Sequence, residues 1–285
     1  MKDYRTRIEQ AGAVLREAEY ILAGGGAGLS DAAGIKYSGS RFTDNFAPFI
    51  EKYGFTDLYT SSFYPFQTEE EFWAYWAKHI SLNRYEPPAA ALYRNLLSLL
   101  RGKNYFVVTT NVEYQFHKAG FPEEKIFMVQ GDYGYFQCAA ACHNTLYYNE
   151  EPVNAMVAAT QDCGIPSNLV PQCPVCGGKM DINVRKNDFF VQDENWYKAE
   201  SRYKDFLNCC AKKKTAYLEL GAGFNTPGVI RYPFEQFTYA NTNARLIRIN
   251  RDDPAGENAN KARTITFTED MGQTILALLQ EKELS

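Results

Sequence analysis

The chain has 285 residues, 45% of them in the hydrophobic set and 15% aromatic, enough apolar surface for one large core or for a large and a small one. A formal net charge of -4 and a pI of about 5.6 give no basic field, which argues against nucleic acid or an anionic membrane as partner. No stretch approaches the ~20 apolar residues of a membrane span, and the first eighteen residues are charged, with no apolar signal core. A cytoplasmic protein is therefore expected, whose seven cysteines are read as thiols and not as a disulfide set.

Residues 3–18 carry helix formers with apolar positions at Ile8, Ala11, Leu15 and Ala18, a helical spacing. A short buried strand over 20–23 runs into the glycine-rich turn 24–31, where Ser30 and Asp31 are placed to cap a helix. Residues 37–86 are rich in aromatics and read as a helical insertion. A helical pattern over 89–100 precedes strand candidates at 105–110 and 125–129. The stretch 135–206 holds five of the seven cysteines and few strand signals, so it reads as a second, smaller insertion. Further strands are expected at 216–220, Arg245–Ile249 and 263–267, before a last helix over 270–283. Strands alternating with helices predict an α/β protein, a Rossmann-like doubly wound parallel sheet with a smaller zinc-binding module and a helical insertion. The Rossmann part is expected in residues 1–36, 87–134 and 207–285, the insertion in 37–86 and the module in 135–206.

Two motifs carry chemistry with different specificity. Backbone amides at a strand-to-helix turn bind phosphate because no side chain blocks the approach, and Gly24, Gly26 and Gly28 are spaced for this. The full dinucleotide fingerprint is absent, however, and an ordinary tight turn competes as a reading. An acid about 20 residues downstream, as an oxidoreductase would need, could only be Asp44, which ends no strand. The cysteines are more specific. Cys138 and Cys142, then Cys173 and Cys176, form two closely spaced pairs, the second with a knuckle-like turn at Pro174 and Gly177-Gly178. Four thiolates suit tetrahedral Zn2+ in a closed, structural site. Redox chemistry at the CxxC is the competing reading, and Cys163, Cys209 and Cys210 are read as non-ligands.

Polar residues also gather after strands. Thr109, Thr110, Asn111 and Glu113 follow one and Gln130 another, at the edge where ligands bind in such sheets. A polar strand end with a helix cap would look the same. His117 is read as a surface or packing residue.

Together these pieces resemble the sirtuins, in order and across almost the whole chain. The GAGxS opening is similar to Gly26-Ala27-Gly28-Leu29-Ser30, followed by Gly34-Ile35 and an arginine matching Arg41. The TQNID…AG segment matches residues 109–120, the two cysteine pairs match the zinc ligands, and the late GTS turn and IN dipeptide match Gly221-Ala222-Gly223 and Ile249-Asn250. The resemblance implies NAD as substrate and structural Zn2+. It implies the pyrophosphate at Gly26, Ala27, Gly28 and Ser30, with Arg41, Gly221, Gly223 and Asn250 as further NAD-binding residues and Asn111, Glu113 and Gln130 as the catalytic set.

Two departures redirect that implication. Sirtuin deacylases carry a histidine as general base where this chain has Gln130, and an amide takes up no proton near neutral pH. After Cys176 the run CGGKMDINVRKNDFF lacks the FGE strand that pairs with an acyl-lysine peptide and carries Arg185 and Lys186 instead. Both departures are similar to the class M, macrodomain-linked branch. That resemblance implies mono-ADP-ribosyltransfer to a lipoylated glycine-cleavage-H-like carrier protein, reversed by a partner macrodomain ADP-ribosyl hydrolase. Deacylation, NAD hydrolysis and non-catalytic NAD binding are the alternatives.

Overall fold

The computed structural model describes residues 3–283. Asp3 caps the first helix, α1 (Tyr4–Glu17), by accepting from the Thr6 amide. Strand β1 (Tyr20–Gly25) leads directly into α2 (Ala27–Ala32). Then come α3 (Ser40–Tyr53), α4 (Leu58–Ser61), α5 (Glu69–Ile80) and α6 (Ala91–Leu100), before β2 (Asn104–Thr109). A short α7 (Gln115–Lys118) separates β2 from β3 (Ile126–Met128). Next are β4 (Gly131–Cys138), β5 (Tyr147–Tyr148), α8 (Glu150–Ala159), β6 (Met180–Val184) and the long α9 (Glu194–Cys210). The chain ends with β7 (Thr215–Leu220), α10 (Arg231–Ala240), β8 (Arg245–Ile249), β9 (Thr264–Phe267) and α11 (Met271–Glu283).

Six strands form one sheet in the order β3-β2-β1-β7-β8-β9, all parallel. This is the doubly wound order, and it reverses direction between β1 and β7. The alternation of a strand's side chains divides the core into two layers. Ile21, Ala23, Val107, Leu218 and Ile247 pack with α1, α6 and α11, while Leu22, Phe106, Val108, Tyr217 and Leu246 face α9 and α10. Every expected strand of this sheet is present.

The three-stranded antiparallel sheet β5-β4-β6 is the part the sequence did not announce. It starts at Gly131, inside the segment read as Rossmann, and α9, read with the small module, lies on β2 and β3 of the large sheet. One continuous aromatic core joins the helices of residues 40–85 to this small sheet, with Trp73 and Phe136 rings 4.6 Å apart. Among the described residues no helix is long and apolar enough to cross a membrane.

Candidate functional site

The reversal between β1 and β7 puts two glycine turns in contact. Gly26 is the N-cap of α2, in extended backbone (φ -107°, ψ -177°), and Gly221 after β7 has φ 62°. A Cβ on Gly26 would stand 2.6 Å from the Ala222 Cα, and one on Gly28 only 2.8 Å from the Gly221 Cα. These are backbone-to-backbone approaches that only glycine allows. The glycines therefore serve packing between the turns, and their amides join in it, Gly26 N donating to Leu220 O and Gly28 N to Gly221 O, both at 3.0 Å. Gly223 is exposed, and a Cβ there would meet nothing within 4 Å.

The expected cap is corrected here. Because α2 begins at Ala27, Ser30 lies inside the helix and turns inward. Its hydroxyl donates to Glu113 Oε1 at 2.7 Å and accepts from Asn111 Nδ2 at 2.9 Å. Asn111 Nδ2 also donates to the Gly26 carbonyl at 2.9 Å, and its backbone amide is held by Thr109 Oγ1 at 3.0 Å. The Tyr93 hydroxyl from α6 donates to Glu113 Oε1 at 3.0 Å and lies 3.1 Å from Ser30 Oγ. Ser30, Asn111, Glu113 and Tyr93 are all buried. Burial, with no cation donating to it, raises the Glu113 carboxyl above its ordinary value against the hydrogen bonds from Ser30 and Tyr93. Tyr93 is the member that sequence reading missed. Its signal was a phenol in the apolar stripe of residues 89–100, whose polar end must find partners once buried.

Gln130 stands between β3 and β4 on the strand-end segment beside Asn111. Val129 N bonds Thr109 O at 3.1 Å and Tyr133 N bonds Val112 O at 3.0 Å, which ties the two segments together. The Gln130 side-chain amide makes no hydrogen bond to a described residue, while its carbonyl accepts from Arg185 N at 2.9 Å. The Arg185 guanidinium is exposed, lies 4.7 Å over the Phe190 ring and forms no ion pair among the described residues. Asn250 closes the far side by donating to Ala222 O at 2.9 Å. Arg41 is held elsewhere: it donates to Lys36 O, Asn83 Oδ1 and Leu82 O, so its guanidinium is engaged by the helical insertion.

None of the three histidines offers a base at this edge. His79 is wholly buried between Tyr75 and Tyr133, at 3.1 and 3.0 Å, and burial lowers it to about 3. His117 stacks on Tyr114 with centroids 4.0 Å apart, and burial lowers it to about 4. His143 lies with the cysteines.

The four thiols fit a structural zinc. Cys138 and Cys176 Sγ are 3.8 Å apart and Cys142 and Cys173 Sγ 3.7 Å. A tetrahedral ion with sulfur ligands at about 2.3 Å requires edges of about 3.8 Å. The knuckle is built by Cys173 N to Gly178 O and Gly177 N to Cys173 O, both 2.8 Å. A disulfide, by contrast, needs sulfurs about 2.05 Å apart.

A parallel sheet in this order, glycine turns at its reversal and a closed thiol cluster define an α/β nucleotide-binding enzyme with a site that fits a structural metal. No family model matches the sequence. The chain is 36% identical to a protein ADP-ribosyltransferase of Staphylococcus aureus, over 98% of its own length and 89% of the relative's. It is 34% identical to a probable bifunctional ADP-ribose hydrolase/ADP-ribosyltransferase of Fusarium oxysporum, over 93% of the chain but 46% of that longer protein. A solved complex of a Sir2 homologue with NAD superposes with a TM-score of 0.61 at 16% identity, covering 97% of this chain and 94% of that one. The chain belongs to the family of sirtuin-fold protein ADP-ribosyltransferases, enzymes that move ADP-ribose from NAD to protein.

Proposed function

We propose that this chain transfers ADP-ribose from NAD to a lipoylated glycine-cleavage-H-like carrier protein as a class M sirtuin in the cytoplasm, with a macrodomain ADP-ribosyl hydrolase as the partner that reverses the modification. The observation that carries the choice of transfer is the glutamine beside Asn111, at an edge where no histidine stands ready to accept a proton. Breaking the nicotinamide–ribose bond passes through an oxocarbenium-like state, which needs positioning and charge stabilisation more than a strong base. A carboxylate acceptor is already anionic and attacks without losing a proton. The pairing of both activities in the name of the fungal relative supports a hydrolase partner.

In this reading the pyrophosphate lies on Gly26, Ala27, Gly28 and Ser30, with Gly221, Gly223 and Asn250 on the adenosine side. Arg41 would have to leave its protein acceptors to reach a phosphate. Glu113 holds the carboxamide, Asn111 the nicotinamide ribose, and Gln130, its amide uncommitted, orients the ribose or the acceptor.

The experiment is incubation with NAD labelled in its adenylate part and with lipoylated and unlipoylated carrier protein, following nicotinamide and label together. Label on the lipoylated carrier, abolished by Asn111→Ala, is the expected result. Nicotinamide release without label would replace transfer by NAD hydrolysis, and acyl removal from lysine, raised by Gln130→His, would replace it by deacylation. Saturable NAD binding with no turnover would make the chain a binding module.

A further inference from the structure

Five donor atoms converge where a tetrahedral ion needs four, because the Cys142 neighbour His143 joins the thiols. His143 Nδ1 is 3.1 Å from Cys142 Sγ and 3.9 Å from Cys173 Sγ. A ligand atom of His143 and the sulfurs of Cys138, Cys142 and Cys173 all lie within 4.8 Å of one another. That set is complete without Cys176. Zinc accepts three thiolates and an imidazole as well as four thiolates, with Zn–S bonds of about 2.3 Å and a Zn–N bond of about 2.0 Å.

The thiols are not equivalent in exposure. Cys138 and Cys173 are buried, whereas Cys142 and Cys176 reach solvent. The imidazole is fixed from behind, since its Nε2 lies 2.8 Å from the Tyr147 hydroxyl of β5, which keeps Nδ1 turned to the cluster. A phenol both donates and accepts, so Tyr147 suits either tautomer. With Nδ1 protonated, the ring donates to the Cys142 thiolate and Nε2 accepts from Tyr147. With Nδ1 bare, the ring ligates and Nε2 donates to Tyr147. A hydrogen bond from the outer shell and a bond to the metal are thus exchanged with little movement of the ring.

We propose that His143 is a reserve zinc ligand that takes the fourth position when the exposed Cys176 thiolate is not available. The proposal rests on the cysteine cluster holding zinc, and zinc content of the purified wild-type protein tests that separately: a wild type without zinc overturns both. Given a zinc-loaded wild type, Cys176→Ala is expected to keep about one zinc per chain, the complement of a single structural site. Cys138→Ala and the double variant His143→Ala/Cys176→Ala are expected to lose theirs. Cobalt-substituted Cys176→Ala should show thiolate charge-transfer absorption lowered by about a quarter, three thiolates in place of four. Zinc retained by the double variant, or lost from Cys176→Ala as fully as from Cys138→Ala, would overturn the proposal. Should Cys176→Ala not fold, the folded wild type and His143→Ala decide it. After limited capping of exposed thiols with N-ethylmaleimide, His143→Ala should release zinc to a chromophoric chelator several-fold faster, and equal rates would overturn the assignment.

Discussion

Ser30 Oγ and Glu113 Oε1 lie 2.7 Å apart, joining the first helix after β1 to the loop after β2 across the ligand-binding edge. The carboxylate receives a second hydroxyl from Tyr93, and among the described residues no cation donates to it. Its burial is therefore offset by neutral donors alone, and a buried charge without a counter-charge is costly.

Glu113→Gln tests that cost. The folded carboxyl titrates above its ordinary 4.5, so in the window between the two values the folded state holds a proton that the unfolded state has released. The contribution of Glu113 to wild-type stability thus falls as pH rises through this window and is level above it. The amide keeps the shape and does not titrate. Its melting temperature is expected to exceed that of wild type at neutral pH, with the gap closing as pH falls to about 4.5, the ordinary carboxyl value. Thermal melts across a pH series measure this, and a gap that is constant with pH would refute it. Loss of ADP-ribosyl transfer in the same variant would show stability given up for function.

Gly28→Ala should damage both stability and NAD binding, because its methyl would be driven into the Gly221 backbone at 2.8 Å, which has no flexible end to move aside. Gly34→Ala is the control. That position has φ 88° and open space around it, so the expected cost is the left-handed strain alone, about 1–2 kcal/mol, with NAD affinity unchanged. Calorimetric titration with NAD and thermal melts on both variants separate the two effects.

The large sheet was legible because its strands are buried on both faces, and such strands read as short apolar runs whatever lies around them. The cysteine spacing likewise pointed to the thiol cluster that the fold brings together. The small sheet was hidden for a physical reason. Strand β4 shifts register between Gly131 and Phe136, which breaks the alternation that betrays a strand, and its core is borrowed from the helices of residues 40–85. Tyr93 and His143 were invisible for another reason. Tyr93 meets Glu113, 20 residues away, and His143, although it follows Cys142 directly, joins the cluster because Cys173 folds against it from 30 residues on; a single sequence does not display such pairings. Ser30 was assigned to the right place with the wrong local role, since the helix starts four residues earlier than the capping pattern suggests.

A buried ion cluster braces the second glycine turn. Arg248 donates to Glu219 through Nε and Nη2, both at 2.8 Å, and to Glu235 Oε1 at 2.8 Å. Arg248 and Glu219 are fully buried. Arg231 adds a bond to Ala222 O, inside the turn, at 3.3 Å. Removing one partner leaves a buried charge uncompensated, so Glu219→Ala is expected to cost about 3–5 kcal/mol in urea unfolding. A loss below 1 kcal/mol, of the order seen for surface pairs, would mean that solvent reaches the cluster.

The last prediction concerns His79, whose tautomer follows from its neighbours. Tyr75 spends its hydroxyl proton on Leu58 O at 3.0 Å, so it can only accept from His79 Nδ1–H. Nε2 is then the acceptor for Tyr133, whose oxygen lies 3.0 Å from the Tyr37 hydroxyl. A second proton on Nε2 would displace the Tyr133 bond in a site wholly shielded from solvent. Burial, with the charge of Arg41 behind it, accordingly lowers the imidazole to about 3. The unfolded state takes up a proton below about 6.5 that the folded state refuses, so stability is lost as pH falls through this range. At pH 5 the loss from this residue is about 2 kcal/mol, 1.36 kcal/mol per unit over some 1.5 units. In His79→Gln the amide can donate to Tyr75 and accept from Tyr133 without titrating. Its unfolding free energy should therefore fall less steeply than that of wild type between pH 6.5 and 4, and parallel slopes would show that the acid sensitivity arises elsewhere.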